Sequence, residues 1–293
     1  GLDEEELLNK KVAFSSNEEI ATASFIGSTS QNADAPSYDI EVDRLATPQV
    51  NMGKFLPADE PVALAPDTYS FDVRIEDLNY EFQFGIRPTD TNRTVQARLA
   101  RLITNSNIGI TASAFTDEDG SSYLRMESNT TGVKNGNSRI FHISDNRTSK
   151  TSGAVEYFGL DYISTPPSNA SFLVNGEPRS SASNRIALDR IYEVQLTGVS
   201  GEDGAYASIG LKTDVDSLAE NVNTLVNGYN TFLNAVSEYK DEQPKSTRLF
   251  NEMSGVARVY ANDLTNVGLN LNLDGRLEVD DDTLRETAMS EDA

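Results

Sequence analysis

Between residues 215 and 239, Val215, Leu218, Val222, Leu225, Tyr229, Phe232, Val236 and Tyr239 recur at spacings of 3, 4, 3, 4, 3, 4 and 3. At 1.5 Å per residue this period keeps them on one side of a helix about 37 Å long. A seam so regular needs partner helices, in its own chain or in a neighbour's. Val226 and Leu233 broaden the stripe to the width that a bundle helix buries, so the pattern predicts packing within the chain first and between subunits second. Val215, Leu218, Val222, Leu225, Tyr229, Phe232 and Val236 are therefore expected to build the packing seam of a helical leg. An aspartate at Leu225 should cost several kcal/mol as a buried unpaired charge.

Upstream of Asp214 the period is 2. In "SYDIEVDRLA", Tyr38, Ile40 and Val42 alternate with Asp39, Glu41 and Asp43, as in a half-buried strand. Pro57, Pro61 and Pro66 follow in "FLPADEPVALAP" and read as a semi-rigid connector. Beyond it, "YSFDVRIEDLNYEFQFGI" predicts two strands, "TVQARLARLITNSN" a helix, and "IGITASAF", "YLRMES" and "RIFHIS" further short strands. Pro166 and Pro167 make a second break. After it, "ASFLVNGEPR" predicts a hairpin at Asn175-Gly176, with "IYEVQLTGV" and "YASIGLK" as strands.

An α+β stretch bracketed by proline breaks inside β-rich sequence reads as an insertion. The expected fold is α+β and multidomain. A discontinuous β-rich domain (12–56 and 164–212) carries an inserted α+β domain (57–163), and a mainly helical, bundle-like leg holds residues 1–11 and 213–293. In the leg, "STRLFNEMSGVARVYANDL" predicts a second helix burying Leu249, Met253, Val256 and Tyr260. "LNLNLDGRLEVD" predicts a tight primed hairpin at Asp274-Gly275, and "DDDTLRETAMSED" a helix capped by an Asp. The leg is expected to be incomplete, with "DEEELLNK" near the start as a remnant of a partner helix.

Charge and residue usage exclude several functions. The balance of 24 basic against 46 acidic residues gives −22, which disfavours nucleic acid and anionic membrane surfaces. No apolar run approaches a membrane span. There is no cysteine, hence no disulfide and no thiol chemistry. His142, the single histidine, reads as an ordinary strand side chain, since a lone imidazole forms neither a His-rich metal site nor, without an activated nucleophile, a catalytic pair. "TDEDGSSY" has Phe115 where a calcium loop needs its first ligand and reads as a turn. Asp280–Asp282 read as a helix cap. The N-x-[ST] triplets at Asn92, Asn129, Asn146 and Asn169 are what chance supplies in such a chain. No catalytic, cofactor-binding or metal-binding residue is assigned, and an enzyme is not expected.

Several stretches in this order resemble the bacterial flagellar filament-cap proteins, the hook-associated protein 2 family. They are "FSSNEEIATASF", "YDIEVDRLATPQ", "TVQARLARLITNSNIGITASAF", "YLRMESNTTG" with "YFGL", "ASFLVNGEPRSSASNRI", "YEVQLTGV", "VNTLVNGYNTFLNAVSEY" and "VGLNLNLDGRLEVDDDTLRETA". The resemblance spans residues 12–290. It implies a head of two β-rich domains on a helical leg, with terminal coiled coils, absent here, that insert into the filament. It implies a homo-oligomeric ring at the filament tip, outside the cell, exported by the flagellar secretion system and helping flagellin fold and polymerise. Implied partners are further copies of the chain, flagellin, filament-junction proteins and an export chaperone, without cofactor, nucleic acid or membrane insertion. The rival readings are an extracellular adhesin binding host mucus glycan or protein through its β-rich head, and a flagellin-like filament subunit. Exposed aromatics clustered at the tip of the inserted domain would point to the adhesin.

Overall fold

The computed structural model describes residues 10–27, 35–134, 136–147, 151–239 and 244–290. The stretch expected to be a remnant helix lies outside these residues except for Lys10. The fold is α+β, with two β bodies followed by a helical region.

In the first β body a five-stranded antiparallel sheet has the order β1 (Lys11–Ser15), β16 (Ala207–Thr213), β3 (Tyr38–Arg44), β12 (Ala170–Val174), β13 (Glu177–Ser181). A three-stranded sheet of β14 (Arg185–Leu188), β15 (Tyr192–Leu196) and β2 (Ala21–Phe25) faces it. The alternation read in β3 holds, since Tyr38, Ile40 and Val42 point into a core shared with Phe172, Tyr192 and Ile209. The Asn175-Gly176 turn has positive φ at both residues (51° and 78°), the backbone that a two-residue primed turn requires.

In the second β body, β9 (Ser121–Thr131) is the central strand. It carries β8 (Ile110–Thr116) on one side, β4 (Pro48–Met52) and β5 (Leu56–Pro57) on the other, and β11 (Ile163–Thr165) pairs with β4. A second sheet has the order β10 (Phe141–Asp145), β6 (Thr68–Ile75), β7 (Leu78–Gly85). The helix α1 (Asn92–Asn105) lays Val95, Leu99 and Ile103 into the core between them, and the short helix α2 (Ala154–Phe158) adds Phe158.

The pairing of β4 and β5 corrects the expected boundary: residues 48–57 belong to the second β body and not to the first. The chain crosses out near Ala46–Thr47 and returns after Pro166. β4 misled because its inward side chains are polar. Gln49 and Asn51 are fully buried, and their amides replace the missing strand contacts. Gln49 Oε1 accepts from Ile140 N (2.7 Å) and Phe141 N (3.1 Å), and Asn51 Nδ2 donates to Leu160 O (2.9 Å). Nor is the proline segment a connector. Ala58, Val62 and Leu64 pack on the second core, and Val62 N bonds Asp90 O at 3.1 Å, so the segment is a strap across the start of α1.

The helical region holds α3 (Val215–Glu238), α4 (Pro244–Val259), α5 (Ala261–Asn266), a hairpin of β17 (Leu269–Leu271) and β18 (Leu277–Val279), and α6 (Asp281–Ser290). Its core is small: Ala219, Val222, Val226 and Leu284, flanked by Leu218, Leu269, Leu277 and Val279. Two expectations fail here. The second helix stops at Val259, and Leu249, Val256 and Tyr260 are exposed, with Met253 half-buried; Ser254 and Ala257 are the buried side. The hairpin turn is a longer loop, residues 272–276, with positive φ only at Gly275. Asn272 explains it, because its Oδ1 accepts from Asp274 N (3.0 Å) and Arg276 N (2.9 Å) and its own backbone opens the turn.

Candidate functional site: the helical leg and its joint with the head

The leg begins without a linker. β16 ends at Thr213, Asp214 is the single intervening residue, and α3 starts at Val215. Asp214 caps the helix, accepting from Ser217 N (3.1 Å) and Ser217 Oγ (2.7 Å), while its backbone N–H donates to Lys10 O (2.8 Å). Burial opposes its ionisation, but the Ser217 hydrogen bonds and the Lys10 ammonium, 3.6 Å away, outweigh burial and lower its pKa. The last strand of the head and the first helix of the leg are thus one continuous run of hydrogen-bonded backbone.

Along α3 the heptad stripe splits in two. Val222, Val226 and Leu233 are buried, and Val215, Leu218, Tyr229 and Val236 are half-buried beside them. Leu225, Phe232 and Tyr239 turn to solvent, with 69%, 41% and 48% of their surfaces exposed. Those three recur every seven residues, so they form a second row along the helix. Of the seven residues read as one seam, Val222 and Leu218 join the apolar core of the leg, Val215, Tyr229 and Val236 are half-buried outside it, and Leu225 and Phe232 face solvent. The geometry accounts for this: α4, one short hairpin and α6 are too few partners to bury the full seam of a 24-residue helix.

Polar side chains fix the hairpin to α3, and the apolar pattern gave no sign of them. Asn230 makes a two-sided bond with Leu277, its Nδ2 donating to the carbonyl (2.8 Å) and its Oδ1 accepting from the amide (2.9 Å). Asn234 Oδ1 accepts from Arg276 Nη2 (2.7 Å), and Tyr229 Oη donates to Gly275 O (2.9 Å). Burial raises the pKa of the Tyr229 hydroxyl. The available signal was asparagine, a weak helix former, at 221, 223, 227, 230 and 234 of one helix. At the base of the leg Gly268 has φ 83°, and a Cβ there would meet Leu284 N at 2.6 Å and Asp280 O at 2.7 Å. α6 starts as expected from an Asp cap: Asp280 Oδ1 accepts from Thr283 N at 3.2 Å.

Elsewhere, His142 sits between Arg139 and Asp161: Arg139 Nη1 donates to Asp161 Oδ2 (2.8 Å), and His142 Nδ1 lies 3.1 Å from Asp161 Oδ1. The same Oδ1 accepts from Ile143 N (2.8 Å), so the carboxylate ties the strand β10 to the loop before β11. In "TDEDG", Asp117 Oδ1 accepts from Ser121 N at 2.7 Å, closing the β8–β9 turn. Among the described residues no three His, Asp or Glu side chains converge as a metal site, and no helix is long and apolar enough to cross a membrane.

Neither a family model nor a curated protein sequence matches the chain. Solved structures do. The crystal structure of the D1-D2-D3 domains of the flagellar cap protein FliD from Escherichia coli matches with a TM-score of 0.55 at 19% identity, covering 98% of this chain and 82% of that one. The D2-D3 domains of the Escherichia coli protein match with a TM-score of 0.50 at 19% identity, covering 70% of this chain and 100% of theirs. Two β bodies, one inserted in the other, continued directly into a helical leg: this chain has the fold of the flagellar cap proteins.

Proposed function

We propose that the chain belongs to the flagellar cap family and is the head and adjoining leg of a cap subunit at the distal end of the bacterial flagellar filament. The observation that supports this most is the chain-length likeness to a three-domain cap structure, leg included. The division follows the strand pairing: residues 48–165 form the inserted head domain, 11–46 and 168–213 the discontinuous one, and the helices after Asp214 the leg. The role is structural. Copies of the chain assemble as a ring outside the cell, and flagellin adds and folds beneath it. The linkerless joint at Asp214 suits this task, because movement of the leg reaches the head through hydrogen-bonded backbone. The packing seam of the leg has two rows, with Val222 and its neighbours holding the chain to itself while Leu225, Phe232 and Tyr239 stay open for helices of the assembly. Export through a narrow channel requires an unfolded chain, and a sequence without cysteine has no disulfide to undo.

Deleting the encoding gene in its own organism is the test. The expected result is unpolymerised flagellin in the medium and short or missing filaments, restored by re-supplying the gene. Filaments of normal length in the deletion strain would contradict the reading.

A further inference from the structure

One exposed feature of the second β body is not used by this function. Tyr123 alternates with the buried Ser122 and Leu124, so it stands on the outer face of the sheet. Phe115 is its partner across the β8–β9 ladder, and Phe55 lies beside it just before β5, where Leu56 pairs with Ser122. Their rings form a row over three strands. The Phe55 and Tyr123 centroids are 4.3 Å apart, those of Tyr123 and Phe115 5.5 Å apart, with interplanar angles of 30° and 22°. Phe55 is 54% and Phe115 43% exposed. Three large apolar side chains in contact on an open sheet face mark an interaction surface.

The charges around the row specify its occupant. The nearby cations are already paired: Arg125 with Glu127 (2.5 Å), Lys54 with Glu156 (2.7 Å), and Arg93 with Asp59. The β8–β9 turn, two to four residues beyond Phe115, carries Glu118 and Asp119, and Glu60 follows β5; none of these has a cationic partner among the described residues. At about 3.3 Å per strand residue, the turn lies roughly 7–13 Å from the rings. Lysine and arginine match both halves of such a surface, with an apolar stem for the ring row and a cationic head for the carboxylates. A neutral sugar fits worse, since it brings no positive charge to meet Glu118, Asp119 and Glu60. A second copy fits worse as well, because each chain carries −22.

We infer that the Phe55–Tyr123–Phe115 row and the acidic β8–β9 turn form a docking surface for a basic segment of a partner protein, one presenting lysine or arginine beside aliphatic side chains. The test uses a fluorescent octapeptide of alternating arginine and leucine, with its glutamate–leucine counterpart as control. It is run near 0.15 M salt, where the Debye length of about 8 Å screens the distant charge of the chain. The arginine peptide is expected to bind and the glutamate peptide not. Phe55→Ser with Phe115→Ser, which leaves the charge unchanged, should weaken binding at least tenfold, and Glu118→Gln with Asp119→Gln about threefold or more. On the unaltered chain, hydrogen exchange should slow in β8, β9 and β5 when the peptide is added. Unchanged affinity in the aromatic variant, protection elsewhere, or no binding overturns the inference. So does a concentration-dependent dimer, or retention on neutral glycans, that the aromatic variant abolishes.

Discussion

The β bodies and the leg bury apolar side chains differently: the first enclose theirs between packed layers, and the second leaves one row of its long helix open to solvent. In the second β body Phe71, Leu99, Leu124 and Phe141 lose almost all contact with water against two sheets and a helix. In the leg, a cluster of four buried side chains, with Leu233, Ala257 and Ala288 buried outside it, supports a helix of 24 residues, and Leu225, Val256, Val259 and Tyr260 face solvent. Close-packed surroundings make every methylene count in the head. Sparse ones leave the leg dependent on single contacts such as Asn230 with Leu277.

The contrast is sharpened most by removing a large side chain from the head. Phe71→Ala should cost about 3–5 kcal/mol in urea unfolding followed by circular dichroism, since the surrounding sheets cannot close over the cavity. Leu284→Ala in the leg should cost less, about 2 kcal/mol, because α6 can settle towards α3. Equal losses at the two sites would break the comparison. Asp90→Asn should cost about 2 kcal/mol at neutral pH. The Arg98 guanidinium, which donates to both carboxylate oxygens (2.8 and 3.0 Å), and the Arg87 amide hold Asp90 at a pKa of about 2, against a burial that opposes ionisation. The unfolded value is near 4. The contribution of the lowered carboxyl is therefore complete above pH ~4 and is lost as pH falls towards 2. Unfolding of the parent and of Asp90→Asn should converge over that window. Asn230→Ala should cost about 1–2 kcal/mol by leaving both backbone groups of Leu277 unpaired, and local hydrogen exchange would locate the loss at the hairpin. Leu225→Asp should change stability by less than about 0.5 kcal/mol in the isolated chain, against the several kcal/mol its place in the heptad suggests.

Reading the sequence by period works where each side chain has one role. Strands β3, β6 and β15 alternate because one face is core and the other is water, and α1 and α3 show helical period for the same reason. The boundary at 48–57 was hidden because Gln49 and Asn51 are buried for their hydrogen bonds, which inverts the polarity that marks a strand. Pro57, Pro61 and Pro66 resembled a linker, although the strap they stiffen packs on the core. The leg misled in the opposite direction. A heptad row states that a face will be covered but not by which chain, so Leu225 and Phe232 read the same as Val222. Asn230 and Asn234 carried no apolar signal at all.

Thiol accessibility along α3 tests this most directly, since the chain has no cysteine of its own. With single cysteines at 222, 225, 226, 232 and 233, those at 225 and 232 should react with a maleimide at nearly the free-thiol rate, and those at 222, 226 and 233 at least a hundredfold more slowly. Equal rates at all five positions, or slow reaction at 225 and 232, would contradict a leg that closes one row of its helix and leaves the other open.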